Sequence, residues 1–231
     1  CAGCGRPGRR GRWAMKIALA QINSRIGDLR GNMAQILDAV DAAAAQGADL
    51  VVTPELALCG YPPRDLLYDG DFVDQVLAAP QVLARQLSHR HARGPALVVG
   101  TLARPAAGER AVDAGPRHPG LFDAALLIDG GAVVAGRAKR LLPVYDVFYE
   151  PRWFVPGAGE PPIDWRGHRL GLLICEDLWD EDYAIRPAPS LCEAGADLLI
   201  CLSSSPYRQG VARHRRHHAV RAARLGVPLI Y

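Results

Sequence analysis

A chain of 231 residues with 49% apolar and 22% charged side chains is long enough and apolar enough for one sizeable core, which excludes the disordered and fibrous classes. The formal net charge of +3 is too small to argue for a nucleic-acid partner, and no apolar run approaches the roughly 18 residues of a membrane helix. Six cysteines (Cys1, Cys4, Cys59, Cys175, Cys192 and Cys201) lack the spacing of a disulfide framework, so they read as reduced thiols of a cytoplasmic protein.

In chain order, residues 1–14 are Gly- and Arg-rich without an apolar stretch, a disordered leader rather than a signal peptide, with Met15 the expected start of the folded part. Cys1 and Cys4 have no second pair at zinc-ribbon spacing, so no metal site is expected there. The segment 16–22 has strand character. Residues 31–46 carry Met33, Ile36, Leu37, Val40 and Ala44 at helical spacing and stop at Gly47. Then follow a short strand at 49–52, a helix at 72–91 and a strand at 96–101. The Gly- and Pro-rich stretch 105–119 reads as an irregular loop, and 122–128 with 132–138 as a hairpin. A strand at 169–174, a helix at 187–194, a strand at 197–202, a basic helix at 211–225 and a strand beginning at 227 complete the pattern. Alternating strands and helices predict a layered α/β domain over 15–231. The segments QGADLVVTPE (46–55) and EAGADLLICLS (193–203) echo one another, which predicts Glu55 and Ser203–Ser205 beside one edge of the sheet.

Three residues at or near strand ends stand out. Cys175 closes an apolar run and precedes two acidic residues; taken alone, such a cysteine fits core packing better than chemistry. Glu55 follows a strand through Thr53-Pro54, and a solvated surface position is the default for a glutamate. Lys139 is, with Lys16, one of two lysines among 27 basic residues. In so Arg-rich a chain, a retained lysine suggests a place where an ammonium and not a guanidinium is needed, although chance retention at a surface explains it equally well. His214, His217 and His218 sit at helical spacing within the basic run 213–218. A solvated helix face explains them better than a metal site does.

Taken together, Pro54-Glu55-Leu56, Lys139-x-x-Leu142-Pro143 and Gly171-Leu172-Leu173-Ile174-Cys175-Glu176-Asp177 resemble the three signatures of the nitrilase, or carbon–nitrogen hydrolase, superfamily, in the right order. Gly60-Tyr61-Pro62-Pro63, Asp65-Leu66-Leu67, Leu142-Pro143-x-Tyr145-x-x-Phe148 and Cys175-Glu176-Asp177-Leu178-Trp179 are similar to the glutaminase domains of NAD+ synthetases. Arg64 and Tyr149 depart from the acidic residues usual at their positions, and the asparagine often found before the Ser203–Ser205-Pro206-Tyr207 loop is absent.

The resemblance implies a four-layer α-β-β-α sandwich, and a chain that stops inside this first domain, ahead of a C-terminal synthetase domain. It implies that Cys175 attacks the side-chain amide of glutamine, that Glu55 shuttles protons and that Lys139 stabilises the oxyanion. Glu150 would be the additional active-site glutamate, and Tyr145, Phe148, Glu176 and Ser205 would line the glutamine pocket. No cofactor is expected in this domain; ATP and Mg would belong to the synthetase domain that receives the ammonia. A homo-oligomer is also implied. The alternative is a free-standing amidase or carbamoylase of the same superfamily, against which the Tyr61-Pro62-Pro63 segment argues.

Overall fold

The computed structural model describes residues 15–105 and 118–231. The expected leader with Cys1 and Cys4, and most of the expected loop at 105–119, lie outside the described residues. Two sheets form the centre. The first has β1 (Ile17–Leu19), β2 (Leu50–Val52), β3 (Ala96–Ala103), β4 (Phe122–Asp129) and β5 (Ala132–Ala138) in that order, with β1, β2 and β3 parallel and β3, β4 and β5 antiparallel. The second has β6 (Ile163–Trp165), β7 (His168–Ile174), β8 (Leu198–Leu202) and β9 (Leu229–Ile230), antiparallel between β6 and β7 and parallel thereafter.

The period-2 alternation of strand side chains decides how these sheets stack. Leu50, Val52, Ala96 and Val98 of the first sheet pack against Leu170, Leu172, Ile174, Leu198, Ile200 and Leu202 of the second. The intervening Val51, Leu97 and Val99 face α1 (Leu29–Ala45) and α2 (Gly70–Arg90). Leu173, Leu199 and Cys201 face α3 (Pro187–Glu193) and α4 (Val211–Ala223). The result is the expected α-β-β-α sandwich. Strands covered on both faces explain why β3 and β8 read as unbroken apolar runs. Burying each Val, Leu or Ile there contributes about 1.5–3 kcal/mol.

Local signals act as anticipated at several joints. Gly47 takes φ +70° just beyond the end of α1; the Asp28 carboxylate, not singled out from the sequence, caps its start by accepting from the Gly31 N–H at 2.9 Å. Gly130 and Gly131, at φ +57° and +84°, turn β4 into β5 as a primed hairpin turn requires. One sequence expectation needs correction, and one strand was missed. The echoing segments 46–55 and 193–203 end in different sheets, β2 in the first and β8 in the second, because the domain has two stacked sheets and not one; their C-terminal ends meet across the sandwich instead of along an edge. The edge strand β6 was not anticipated, since three residues between Pro161-Pro162 and Gly167 show too little alternation to register.

Gly100 marks where the first sheet admits the loop after β2. A Cβ on it would lie 2.3 Å from the Pro54 carbonyl oxygen and 2.6 Å from the Leu56 nitrogen, so the backbone on either side of Glu55 rests directly on this glycine. Gly100→Ala is expected to cost about 1–3 kcal/mol, the usual penalty for overpacking, and to displace Glu55. A thermal unfolding curve matching the parent chain would contradict this contact.

Candidate active site

Elements from both sheets deliver side chains to one end of the sandwich. The β2 strand ends at Val52; Thr53 then bridges to β3, its N–H donating to Val98 O at 3.0 Å and its hydroxyl accepting from Gly100 N–H at 3.1 Å. Leu56 is held at φ +48°, and this tight bend leaves Glu55 buried. Lys139 follows β5, its N–H donating to Asp123 O and its carbonyl accepting from Gly157 N–H, both at 2.8 Å. Cys175 follows β7 at φ +45°, in the left-handed region that a non-glycine residue enters only under constraint. Strain of this kind is stored where a side chain is held in a fixed direction by the surrounding structure.

Lys139 and Cys175 are locked to each other through Asp177. One Asp177 oxygen accepts the Arg140 and Leu141 N–H groups, both at 2.9 Å, and the other accepts the Ile174 N–H at 3.0 Å. The same carboxyl therefore grips the residues just after Lys139 and just before Cys175. Burial raises this carboxyl to about 6, although the three N–H donors pull the other way.

Around the Lys139 ammonium the charges converge. Its Nζ lies 2.6 Å from Glu55 Oε1, 2.8 Å from Glu150 Oε2 and 3.6 Å from Asp123 Oδ2. All four side chains are buried, Lys139 at 1% exposure. Burial alone would lower the lysine, but Glu55, Glu150 and Asp123 outweigh it and hold the ammonium well above its ordinary range. Lys16, by contrast, is exposed and donates to the Gln46 carbonyl. The two lysines of this Arg-rich chain thus differ in kind. Oxygens of Glu55, Asp123 and Glu150 lie within 4.8 Å of one another, and the ammonium sits where a cation held by them would sit.

Lys139, Glu150 and Cys175 line a cavity of about 230 Å³ together with Tyr145, Phe148 and Glu176. Ser205 also lines it, its hydroxyl accepting from Arg215 Nε at 2.9 Å. The Tyr145 and Phe148 rings meet edge to face at 5.7 Å, forming an aromatic wall. The Tyr145 and Tyr183 hydroxyls each donate to Glu176 at 2.8 Å, and burial still leaves its carboxyl above the ordinary value. Glu55 stands behind the lysine, and its far oxygen accepts the Ser204 N–H at 2.9 Å while the Ser204 hydroxyl donates to the Glu55 carbonyl at 2.8 Å. Every residue that the resemblance assigned to the catalytic set or the pocket is thus in or against this cluster. Burial first, then the neighbouring Glu55, pushes the Cys175 thiol well above its ordinary range, so at neutral pH it rests as S–H and needs a base to react.

Sequence reasoning missed four participants. Asp123 fell inside the expected hairpin strand 122–128 and was not singled out. Tyr61, whose hydroxyl donates to Glu150 at 2.8 Å, was seen only as part of a motif. Ser203, whose hydroxyl donates to Cys175 Sγ at 3.4 Å, and Ser204 were placed near Glu55 by the echo of 46–55 and 193–203 but given no role. No local signal marks Asp123 or Tyr61, because their partners are distant in the chain. Among the other thiols, Cys59 is sealed in an apolar cluster behind the site, Cys201 packs in the outer core of the second sheet and Cys192 lies on α3.

The histidine face of α4 is not simply solvated. His218 is 4% exposed and stacks on Trp179 at 5.2 Å, with its imidazole lowered to about 4, first by burial. His217 pairs with Glu181 at 2.9 Å. Glu181, His217 and His218 offer ligand atoms within 4.8 Å of one another, but Arg221 lies 3.6 Å from Glu181 and 3.4 Å from His218 Nδ1, so a guanidinium already serves this group as its cation.

The carbon-nitrogen hydrolase family profile matches residues 16–231. The chain is 39% identical to a glutamine-dependent NAD(+) synthetase of Synechocystis sp., over 93% of this chain and 38% of that protein. A glutamine-dependent NAD(+) synthetase of Rhodobacter capsulatus is 36% identical over 94% of this chain and 36% of that protein. The chain therefore spans little more than a third of the length of these curated relatives. Among solved structures, a glutamine-dependent NAD+ synthetase from Acinetobacter baumannii in complex with ADP aligns with a TM-score of 0.77 and 30% identity, over 94% of this chain and 38% of that one. An amidase from Nesterenkonia sp. aligns with a TM-score of 0.67 and 29% identity, over 93% of this chain and 74% of that one.

The double grip of Asp177 makes a sharp expectation. Asp177→Asn replaces an acceptor oxygen with an N–H₂ group facing backbone donors. The loss is expected to be about 1–3 kcal/mol, as for a buried group left unsatisfied, and the Cys175 turn should relax. Thermal unfolding, with the rate of Cys175 alkylation by iodoacetamide, reads both effects. Unchanged values on both would show that the clamp does not hold the two elements together.

Proposed function

Because the chain belongs to the carbon-nitrogen hydrolase family, we propose that it hydrolyses the side-chain amide of glutamine as the ammonia-producing part of a glutamine-dependent NAD+ synthetase. The observation that carries this reading is a strained cysteine at a strand end, facing a buried Lys139–Glu55 pair in a cavity of about 230 Å³. The synthetase relatives at 39% and 36% identity supply the substrate class. No helix among the described residues is long and apolar enough to cross a membrane.

The chemistry follows from the resting state of each group. Glu55 takes the Cys175 proton as the sulfur attacks the amide carbon and the carbonyl electrons move onto oxygen. Lys139, fixed as an ammonium, stabilises that oxyanion, helped by a backbone N–H following the cysteine. When the tetrahedral adduct collapses, the C–N bond breaks and Glu55 returns its proton to the departing nitrogen, which leaves as ammonia. A γ-glutamyl thioester remains. Glu55 then takes a proton from water as the hydroxide attacks; the C–S bond breaks, the sulfur regains its proton and glutamate departs. Glu150 orients the lysine throughout. Tyr145, Phe148, Glu176 and Ser205 bound the pocket that holds glutamine, Glu176 being placed to meet its α-ammonium.

In this reading ammonia passes to a synthetase part, where ATP and Mg²⁺ serve the amidation of nicotinate adenine dinucleotide, and the whole assembles as a homo-oligomer. A second reading, a free-standing amidase, is favoured by the 74% coverage of the Nesterenkonia enzyme. Cys175→Ala in the full-length protein separates the steps. Glutamine-dependent NAD+ formation should fall below detection, because no thioester forms, while synthesis from added ammonium should persist. Surviving glutamine-dependent activity would remove Cys175 as nucleophile, and rapid turnover of simple aliphatic amides by the parent chain would favour the amidase.

A further inference from the structure

The mechanism above leaves Asp123 without a task, although it is as deeply placed as any group in the site. It lies near the start of β4 beside the end of β5, with its side chain fully buried. The ionisable groups facing it are Glu55 from the loop after β2, Lys139 after β5, Glu150 from the turn at Glu150–Arg152, and the Cys59 thiol behind the loop. The Lys139 ammonium hydrogen-bonds to Glu55 at 2.6 Å and Glu150 at 2.9 Å but stands 3.6 Å from Asp123. Neither Asp123 oxygen has a hydrogen-bond partner among the described residues. As an anion it would be desolvated, unbonded, and repelled by two further carboxyls that already share one ammonium. As a neutral acid it needs a single acceptor, and a Glu55 oxygen lies within 4.8 Å of it.

We propose that Asp123 is a positioning residue that keeps its proton in the working protein and donates a hydrogen bond from its carboxylic O–H to Glu55. The lysine's charge is then left to the two glutamates, and Glu55 is held from behind by Asp123 and from the side by the Ser204 N–H, with its proton-accepting oxygen aimed by both. Burial first, and Glu55 next, push the Asp123 carboxyl well above the usual carboxylate range, in keeping with this state. The sign of the linkage follows. The folded protein retains a proton that the unfolded chain releases above its ordinary value of 3.8, so this group costs stability increasingly as pH rises towards its folded value.

The inference rests on the functional reading only in its activity arm. In the parent chain labelled with carboxyl-¹³C aspartate, infrared spectra at about pH 8, where ordinary carboxyls are ionised, should contain a protonated-carboxyl band that Asp123→Asn removes. No such band in the labelled parent overturns the proposal, and that spectrum decides even where the variant does not fold. Asp123→Asn should also melt above the parent, by a margin that widens from about pH 5 to pH 8; a margin constant with pH overturns it. Asparagine can still donate to Glu55 and alanine cannot, so Asp123→Ala should turn glutamine over about tenfold more slowly than Asp123→Asn, the worth of one such hydrogen bond. Equal impairment of the two variants would mean that the aspartate's charge is what matters, and would overturn it. A band present in a protein that does not hydrolyse glutamine would leave this inference standing and defeat the functional reading instead.

Discussion

The contact between the Lys139 ammonium and Glu55, 2.6 Å long and closed to solvent, is the interaction around which this site is arranged. An ammonium is expensive to bury, and only carboxyls held rigidly close make it tolerable. That demand explains why the loop after β2, the end of β5 and the turn at Glu150–Arg152 all reach the same point. Each brings a charge that would be costly there without the others. Removing one partner would strand the remainder, so the cluster is a poor source of stability and a strong source of specificity.

Rigidity at that point is carried by backbone and not by the charges themselves. Thr53 and Gly100 hold the bend that carries Glu55, and Asp177 ties the residue before Cys175 to the residues after Lys139. Ser204 joins the end of β8 to Glu55 across the interface between the sheets. These ties cross from one sheet to the other, so the two-sheet core and the site depend on the same register. A shift of one residue in β2 or β7 would turn every inward side chain outward and separate the groups.

The electrostatics also fix the resting charge of two groups in the cluster. A thiol raised by burial beside a glutamate does not ionise by itself at neutral pH, and a lysine surrounded by carboxyls does not lose its proton. At rest the site therefore holds Cys175 as S–H and Lys139 as a full cation, with Glu55 bonded to the ammonium. In the proposed reaction, proton transfer and bond formation are coupled because the thiol is not pre-ionised for attack. The aromatic wall of Tyr145 and Phe148 bounds the cavity in which this happens.

Much of the fold was legible in the sequence, since both periodicities that define it are local: helical spacing in α1 and α2, apolar runs in β3 and β8, glycines at the α1 stop and the hairpin turn. The three signature residues were legible for a different reason, each standing at a strand end in a recognisable neighbourhood, with Lys139 set apart by the scarcity of lysine. The sequence thus carried an alternating α/β pattern and, through the resemblance, the layer order, the family and Glu55, Lys139 and Cys175 as candidates. Tertiary structure alone decided that the echoing segments end in separate stacked sheets, that Asp177 joins two strands, that Ser203 and Ser204 serve Cys175 and Glu55, and that Asp123 is the third carboxyl at the lysine. These facts concern partners tens to more than a hundred residues apart, and a hydrogen bond or a shared proton leaves no trace in local spacing when the chain brings its two ends together only by folding.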